Sequence, residues 1–338
     1  MSAVGAAVAM AEPPVVLEVE DLVVEFPLGH NAVVHAVSGV DFSVREGETL
    51  GLVGESGCGK STTARAVMQL PRPGVGRVRL GGVELTTLKG ADLRRERRHM
   101  QMIFQDPISS LNPRRTVADI VSMPLDIQRE GTRAERLVKV REVLSAVGLD
   151  PDGAMDRRPF QFSGGQCQRI SIARALILEP SVLICDEPVS ALDVSIQTQI
   201  INLLQDMKAR YRLSMLFISH DLSVVKNVCD RVAVMYLGRV CELASSEELY
   251  RHAAHPYTAA LMSAIPKPDP TEPVQKVAML EGELPSPTAP PPGCRFHTRC
   301  PRAQARCREE VPALRGFAAG HKVACHFPLV SRSAPISL

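Results

Sequence analysis

The chain has 338 residues, and its 39 basic and 37 acidic side chains leave a net charge of only +2, which gives no bulk electrostatic argument for nucleic acid. It has no tryptophan and only 4% aromatic residues, which disfavours base-stacking platforms. The 45% apolar content supports a sizeable core, with length for one large domain and a smaller one, and no apolar run approaches the ~20 residues of a membrane-spanning helix.

Residues 1–14 are expected to be a disordered tail, because their apolar start lacks the basic residues of a signal peptide. Val15 to Phe26 and Val33 to Val44 alternate as strands of an antiparallel piece. Thr49 to Val53 is a short apolar run that predicts a buried strand. It leads directly into Gly54-Glu55-Ser56-Gly57-Cys58-Gly59-Lys60-Ser61-Thr62, and a helical pattern follows. Strand, glycine turn and helix start are the context in which a phosphate-binding loop works. The glycines let backbone N–H groups turn toward a phosphate chain, and the helix N-terminus adds its dipole. Lys60 would reach the β- and γ-phosphates, and the Ser61 hydroxyl would sit on Mg²⁺.

Val78 to Leu85 has strand character with a turn at Gly81-Gly82, and Arg94 to His99 is a basic run expected on a solvated helix face. Met102 to Phe104 predicts another strand, followed by Gln105. Thr116 to Gly148 predicts two helices broken near Gly131, with Val140, Val143, Leu144 and Val147 on one apolar side. Ser163-Gly164-Gly165-Gln166 precedes a helix from Gln168 to Leu178 and resembles a second anion-binding helix start. Ser181 to Cys185 is a buried strand running into Asp186 and Glu187. In a parallel sheet that strand end would bring both carboxylates to the mouth of the loop, Asp186 for Mg²⁺ and Glu187 to polarise the attacking water. After a helix from Ile196 to Tyr211, the strand Ser214 to Ile218 ends near His220, a candidate γ-phosphate contact that orients Glu187. Gln105 would touch Mg²⁺ or the attacking water. Val232 to Tyr236 and Arg239 to Glu242 predict a hairpin through Gly238. Strands alternating with helices imply an α/β fold with a mostly parallel sheet.

From Pro266 the composition shifts. Residues 266–293 are proline-rich, as a linker or a surface-hugging arm. Beyond them, residues 294–338 hold Cys294, Cys300, Cys307 and Cys325 of the nine cysteines. These suit a metal site better than disulfides in a reducing compartment. Their spacing is wider than the usual pairs of structural zinc and leaves an iron–sulfur cluster open.

The loop, Gln105, Phe162-Ser163-Gly164-Gly165-Gln166, Asp186-Glu187, Ser190-Ala191-Leu192-Asp193 and His220 resemble, in this order, the Walker A, Q-loop, signature, Walker B, D-loop and H-loop of ABC ATPases over residues 15–265. Met102 to Pro107, Ser109 to Arg114, His255-Pro256-Tyr257-Thr258 and the Pro- and Cys-rich tail narrow the resemblance to the ATP-binding subunits of bacterial oligopeptide and dipeptide importers. Nickel and other small-solute importers share much of this pattern. The resemblance implies a P-loop NTPase core with antiparallel β and helical subdomains and a small Cys-rich C-terminal extension. It implies ATP and Mg²⁺, and a second ATPase subunit, self or paralogue, whose Ser163–Gln166 counterpart closes the site head-to-tail. It further implies two membrane permease subunits, an extracytoplasmic solute-binding protein, no nucleic acid, and a peripheral location on the cytoplasmic side of the cell membrane. Members of the group are similar in carrying a [4Fe–4S] cluster, which would fall on the four C-terminal cysteines; zinc and unligated thiols are the alternatives. Phe26 is the candidate adenine-stacking residue. Two positions depart from the family pattern: Cys167 stands where Gln, Arg or Lys is commoner, and Phe162 where Leu is commoner. A soluble ABC ATPase of DNA repair or translation would carry long coiled coils or a tandem second domain, and a non-catalytic paralogue would lack the Glu187–His220 pair.

Overall fold

The structure, a computed structural model, describes residues 12–29, 32–264 and 282–329. The expected N-terminal tail lies almost wholly outside the described residues, as do residues 266–281 of the proline-rich stretch and the last nine residues. Among the described residues, twelve strands form two sheets. They are β1 (Val15–Leu28), β2 (Ala32–Arg45), β3 (Thr49–Val53), β4 (Val75–Leu80), β5 (Val83–Glu84) and β6 (Met100–Ile103), then β7 (Val182–Asp186), β8 (Ser214–Ile218), β9 (Arg231–Tyr236), β10 (Arg239–Ser245), β11 (Arg315–Ala318) and β12 (His321–Val323). The smaller sheet runs β2-β1-β4-β5 and is antiparallel. The larger has the order β11-β12-β10-β9-β3-β8-β7-β6. Its strands from β9 through β6 are parallel, and β10, β12 and β11 continue it antiparallel.

The central strands are apolar because they are covered on both faces. Along β7 and β8 successive side chains alternate between two cores. Leu183, Cys185, Met215 and Phe217 enter one, while Val182, Ile184, Leu216 and Ile218 enter the other. The second core is closed by the small sheet, through Leu17, Val19, Val37 and Val78, and by the helix Lys60–Val67. The first is closed by helices Val117–Gln128, Arg133–Ala146, Gly164–Leu176 and Val194–Tyr211. Val140, Val143, Leu144 and Val147 are buried there, as their spacing predicts.

The parallel strands β3, β6, β7 and β8 all finish at one edge. That edge therefore collects the residues after Val53, Ile103, Asp186 and Ile218, which are the phosphate loop, Gln105, Glu187 and His220.

Two expectations change. The basic run is not only a solvated face. Arg97 donates to the carbonyls of Met68 and Gln69, at 2.9 and 3.0 Å, and so caps the end of the helix that follows the phosphate loop. Arg98 pairs with Glu130 at 2.9 Å. The cysteine-bearing C-terminal segment also does not stand apart. Its strand β12 hydrogen-bonds β10, so residues 315–323 extend the main sheet. Burial seals this junction, because Glu242 of β10 accepts from His321 Nε2 at 2.7 Å and both side chains are fully buried. No helix among the described residues is long and apolar enough to cross a membrane.

Candidate active site

The loop after β3 begins at Gly54 and passes into the helix at Lys60. Two of its glycines are required by space and by backbone angle. At Gly54 (φ +149°) an added Cβ would stand 2.2 Å from the Met235 carbonyl oxygen, and at Gly59 (φ +104°) 2.2 Å from that of Ala36. Lys60 lies nearly buried under the loop and donates to the carbonyls of Gly54 and Glu55 at 2.8 and 3.1 Å. A cavity of approximately 320 Å³ opens over the loop. Ser56, Gly57, Gly59, Lys60, Ser61 and Thr62 form its floor, Gln105 and Glu187 stand on one side, and Phe26, Val34, Ala36 and Pro287 stand on another. Cys58 turns into the core, and the Glu55 side chain meets Arg299 instead of the cavity.

Ser61 Oγ donates to Asp186 Oδ1 at 2.7 Å. Asp186 is fully buried, its Oδ2 has no hydrogen-bond partner, and the Arg65 guanidinium lies 3.9 Å from it. Burial raises its carboxyl above the usual range, opposed by the Ser61 bond and by Arg65. A hydroxyl beside a buried carboxylate with a spare oxygen is the donor set of a hard divalent cation, and it fits Mg²⁺. Glu187, the next residue, has φ +48°, a left-handed conformation uncommon for a non-glycine residue. Its Oε2 accepts from Gln105 Nε2 at 3.0 Å and lies 3.3 Å from His220 Nδ1. One carboxylate thus gathers two polar side chains delivered by different strand ends.

Ser163 to Gln166 lie away from this cavity. Ser163 and Gln166 form a reciprocal capping box at the start of the helix Gly164–Leu176, and both are exposed. Gly165 lies close to Ile196, so a Cβ there would meet its Cγ2 at 2.7 Å.

The four C-terminal cysteines converge. Cys294, Cys300, Cys307 and Cys325 line one small cavity with His255, Phe296 and Phe327. All are free. Burial is the main cause that raises the Cys294 and Cys300 thiols and pushes Cys325 up to about 11, with the neighbouring thiols adding to it. Among the described residues no group of three or more His, Cys, Asp or Glu side chains converges closely enough for a single metal ion.

Three contributors were not apparent in the sequence. Tyr257 accepts at its hydroxyl from the Glu55 N–H at 2.9 Å. Arg299 makes two bonds to the Glu55 carboxylate. Pro287, whose carbonyl accepts from His35 N–H at 3.0 Å, forms part of the cavity wall. Only Tyr257 left a trace, in the His255-Pro256-Tyr257-Thr258 motif.

Fold and site together define an ATP-binding cassette ATPase. The family model described as "ABC transporter" matches residues 37–190, and that described as "Oligopeptide/dipeptide transporter, C-terminal region" matches residues 241–307. The chain belongs to the ABC transporter family, in the branch that carries the oligopeptide/dipeptide transporter C-terminal region. It is 52% identical over 295 residues to a putative peptide import ATP-binding protein of Brucella ovis, covering 87% of this chain and 92% of the relative. It is 48% identical over 324 residues to the oligopeptide transport ATP-binding protein AppF of Bacillus subtilis (94% and 98% covered) and 50% identical over 321 residues to OppF of Salmonella typhimurium (92% and 96%). Among solved structures it is similar to the ATP-binding cassette MJ0796, described as a dimeric post-hydrolysis state bound to ADP and Pi, with a TM-score of 0.62, 27% identity, and coverage of 68% of this chain and 98% of that chain.

Proposed function

We propose that this chain binds and hydrolyses ATP to energise import of oligopeptides or dipeptides across the cytoplasmic membrane. The observation that carries the chemistry is the convergence of Glu187, Gln105 and His220 beside a phosphate loop, with the Ser61–Asp186 pair adjacent. The backbone N–H groups of Gly57, Gly59, Lys60 and Ser61 and the Lys60 ammonium hold the phosphates, and Phe26 stacks on the base. Ser61 and Asp186 would hold Mg²⁺, which supplies charge neutralisation for the leaving diphosphate. Glu187 takes the proton of the attacking water. Gln105 and His220, both directed at Glu187 Oε2, fix the direction of that acceptor.

Ser163 and Gln166 are exposed, with Gly164 and Gly165 half-buried between them, on a separate helix start that does not serve this chain's own cavity. Their use is to face the nucleotide of a second ATPase subunit, self or paralogue, in a head-to-tail pair. The exposed Ile108, just after Gln105, offers an apolar contact to the membrane permeases. In this arrangement the chain is peripheral on the cytoplasmic side, and a solute-binding protein delivers the peptide. ATP-driven closing and reopening of the pair biases the permeases between two states.

The four C-terminal cysteines would hold a [4Fe–4S] cluster in this reading. All four line one small cavity together with Phe296 and Phe327, and that shared lining is what supports the reading. Anaerobically purified protein is expected to be brown with about four irons per chain; colourless protein holding zinc would remove the cluster.

The transport reading is tested by co-expressing the chain with candidate permeases and a solute-binding protein and reconstituting them in vesicles. ATP-dependent accumulation of a labelled peptide, lost in Glu187→Gln, is expected. Accumulation of nickel but not peptide, or an ATPase that never associates with permeases, would overturn it.

A further inference from the structure

We propose that the C-terminal segment forms part of the nucleotide site, and that Arg299 is a positioning residue for the phosphate loop, acting through Glu55. This rests on the reading of the loop as an ATP site. Glu55 is the second residue of the loop, and it is held at both ends. Its N–H donates to the Tyr257 hydroxyl, 202 positions later in the chain, at 2.9 Å. Its carboxylate accepts a two-pronged pair from Arg299, 244 positions later, with Nη1 to Oε2 at 2.8 Å and Nη2 to Oε1 at 3.1 Å. Parallel Arg–carboxylate bonds fix direction as well as distance. Its carbonyl accepts from Lys60 Nζ and, at 3.2 Å, from Cys58 N–H. The peptide of Glu55 is therefore the point from which the loop's curvature is set.

Arg299 is built in. Its side chain is 7% exposed, against 26% for Glu55. Its guanidinium lies 5.8 Å from the Tyr236 ring centre and 3.5 Å from that hydroxyl. The turn that carries it is anchored by Phe296, which is buried and packs edge-on against Tyr236 at 5.2 Å and tilted against Tyr257 at 5.4 Å. Arg299 N–H donates to the Phe296 carbonyl at 3.0 Å. The same segment contributes Pro287 to the cavity wall.

The electrostatic sign gives the function. A loop that must hold a triphosphate carries a carboxylate within it. Left alone, that charge would repel the ligand, and its partial burial would weaken screening by salt. Arg299 neutralises it and turns it away from the cavity.

The experiment uses the assembled transporter and a fluorescent ATP analogue for binding, with steady-state ATPase kinetics alongside. Arg299→Ala is expected to weaken nucleotide affinity about tenfold, with kcat changed by less than about twofold. Adding Glu55→Gln to it removes the uncompensated charge and restores part of that affinity, the remainder being the lost positioning of the loop. Glu55→Gln alone, which loses the two-pronged pair but leaves no carboxylate facing the ligand, binds more weakly than wild type and more tightly than Arg299→Ala, and Arg299→Lys, with a single point charge, also falls between. Arg306→Ala, which breaks an exposed pair with Glu310 on the same segment, leaves affinity unchanged. If Arg299→Ala is unstable in thermal melts, Arg299→Lys and Glu55→Gln carry the comparison. Wild-type affinity in Arg299→Ala, or a double variant no better than Arg299→Ala, overturns the positioning role. A wild-type protein that fails to bind the analogue overturns the ATP site itself.

Discussion

Glu187→Gln isolates the chemistry from the architecture. Glutamine has the volume of glutamate, and its amide oxygen can take the place of Oε2, which receives Gln105 Nε2 at 3.0 Å and faces His220 Nδ1 at 3.3 Å. The left-handed backbone at φ +48° costs glutamine no more than glutamate. Binding, folding and subunit pairing should therefore persist, and only the proton acceptor is lost. General-base catalysis contributes ~10²–10⁴ in rate, which corresponds to about 2.7–5.4 kcal/mol of barrier. The assay is phosphate release by the reconstituted transporter, run beside equilibrium binding of an ATP analogue. A fall of at least a hundredfold with unchanged affinity is expected. A variant retaining more than a tenth of the wild-type rate would refute Glu187 as the base, and a collapse of affinity would show that the carboxylate serves the ground state instead.

Phe26→Ala removes a stacking face worth ~1–3 kcal/mol per base, so the KM for ATP should rise at least fivefold with kcat nearly unchanged; an unchanged KM would move the adenine elsewhere. Gly59→Ala puts a methyl group 2.2 Å from the Ala36 oxygen at φ +104°. It should cost ~2–3 kcal/mol or more and lower Tm by several degrees, as read by a thermal melt. His255, buried behind the phosphate-loop clamp, has its pKa lowered to about 4 by burial, against an ordinary 6.5. Above 6.5 both folded and unfolded states hold it neutral. Between 6.5 and 4 only the unfolded state takes the proton, so stability falls as pH drops, by roughly 3 kcal/mol at most. A pH series of Tm values should show a shallower acid limb in His255→Asn, and parallel limbs would exclude His255 as the cause.

What the sequence revealed and what it concealed divide on physical grounds. β3, β7 and β8 were visible because both faces are buried and the strands are almost wholly apolar. That Lys60, Ser61, Asp186, Glu187, Gln105 and His220 would come together was legible because each follows or ends a strand, and the parallel sheet gathers those ends at one edge. β11 and β12 were missed. They are short, and β11 is exposed along its length, so neither presents a run of apolar residues. The basic run looked like a solvated face because charge carries no record of what it caps; Arg97 found two helix-end carbonyls. The contacts of Arg299, Tyr257 and Pro287 were hidden because their partners lie more than two hundred positions away, where neither spacing nor periodicity reaches.

That separation also has a consequence in time. The core strands through β10, the loop and the candidate catalytic side chains are all encoded before residue 246, yet Glu55 acquires its last partner only when residue 299 has been made. On a ribosome adding residues from the N-terminus, the sheet can form while the clamp is still unsynthesised. The nucleotide pocket is thus among the last parts of the molecule to be completed, and a nascent or truncated chain carries a loop whose carboxylate is still uncompensated.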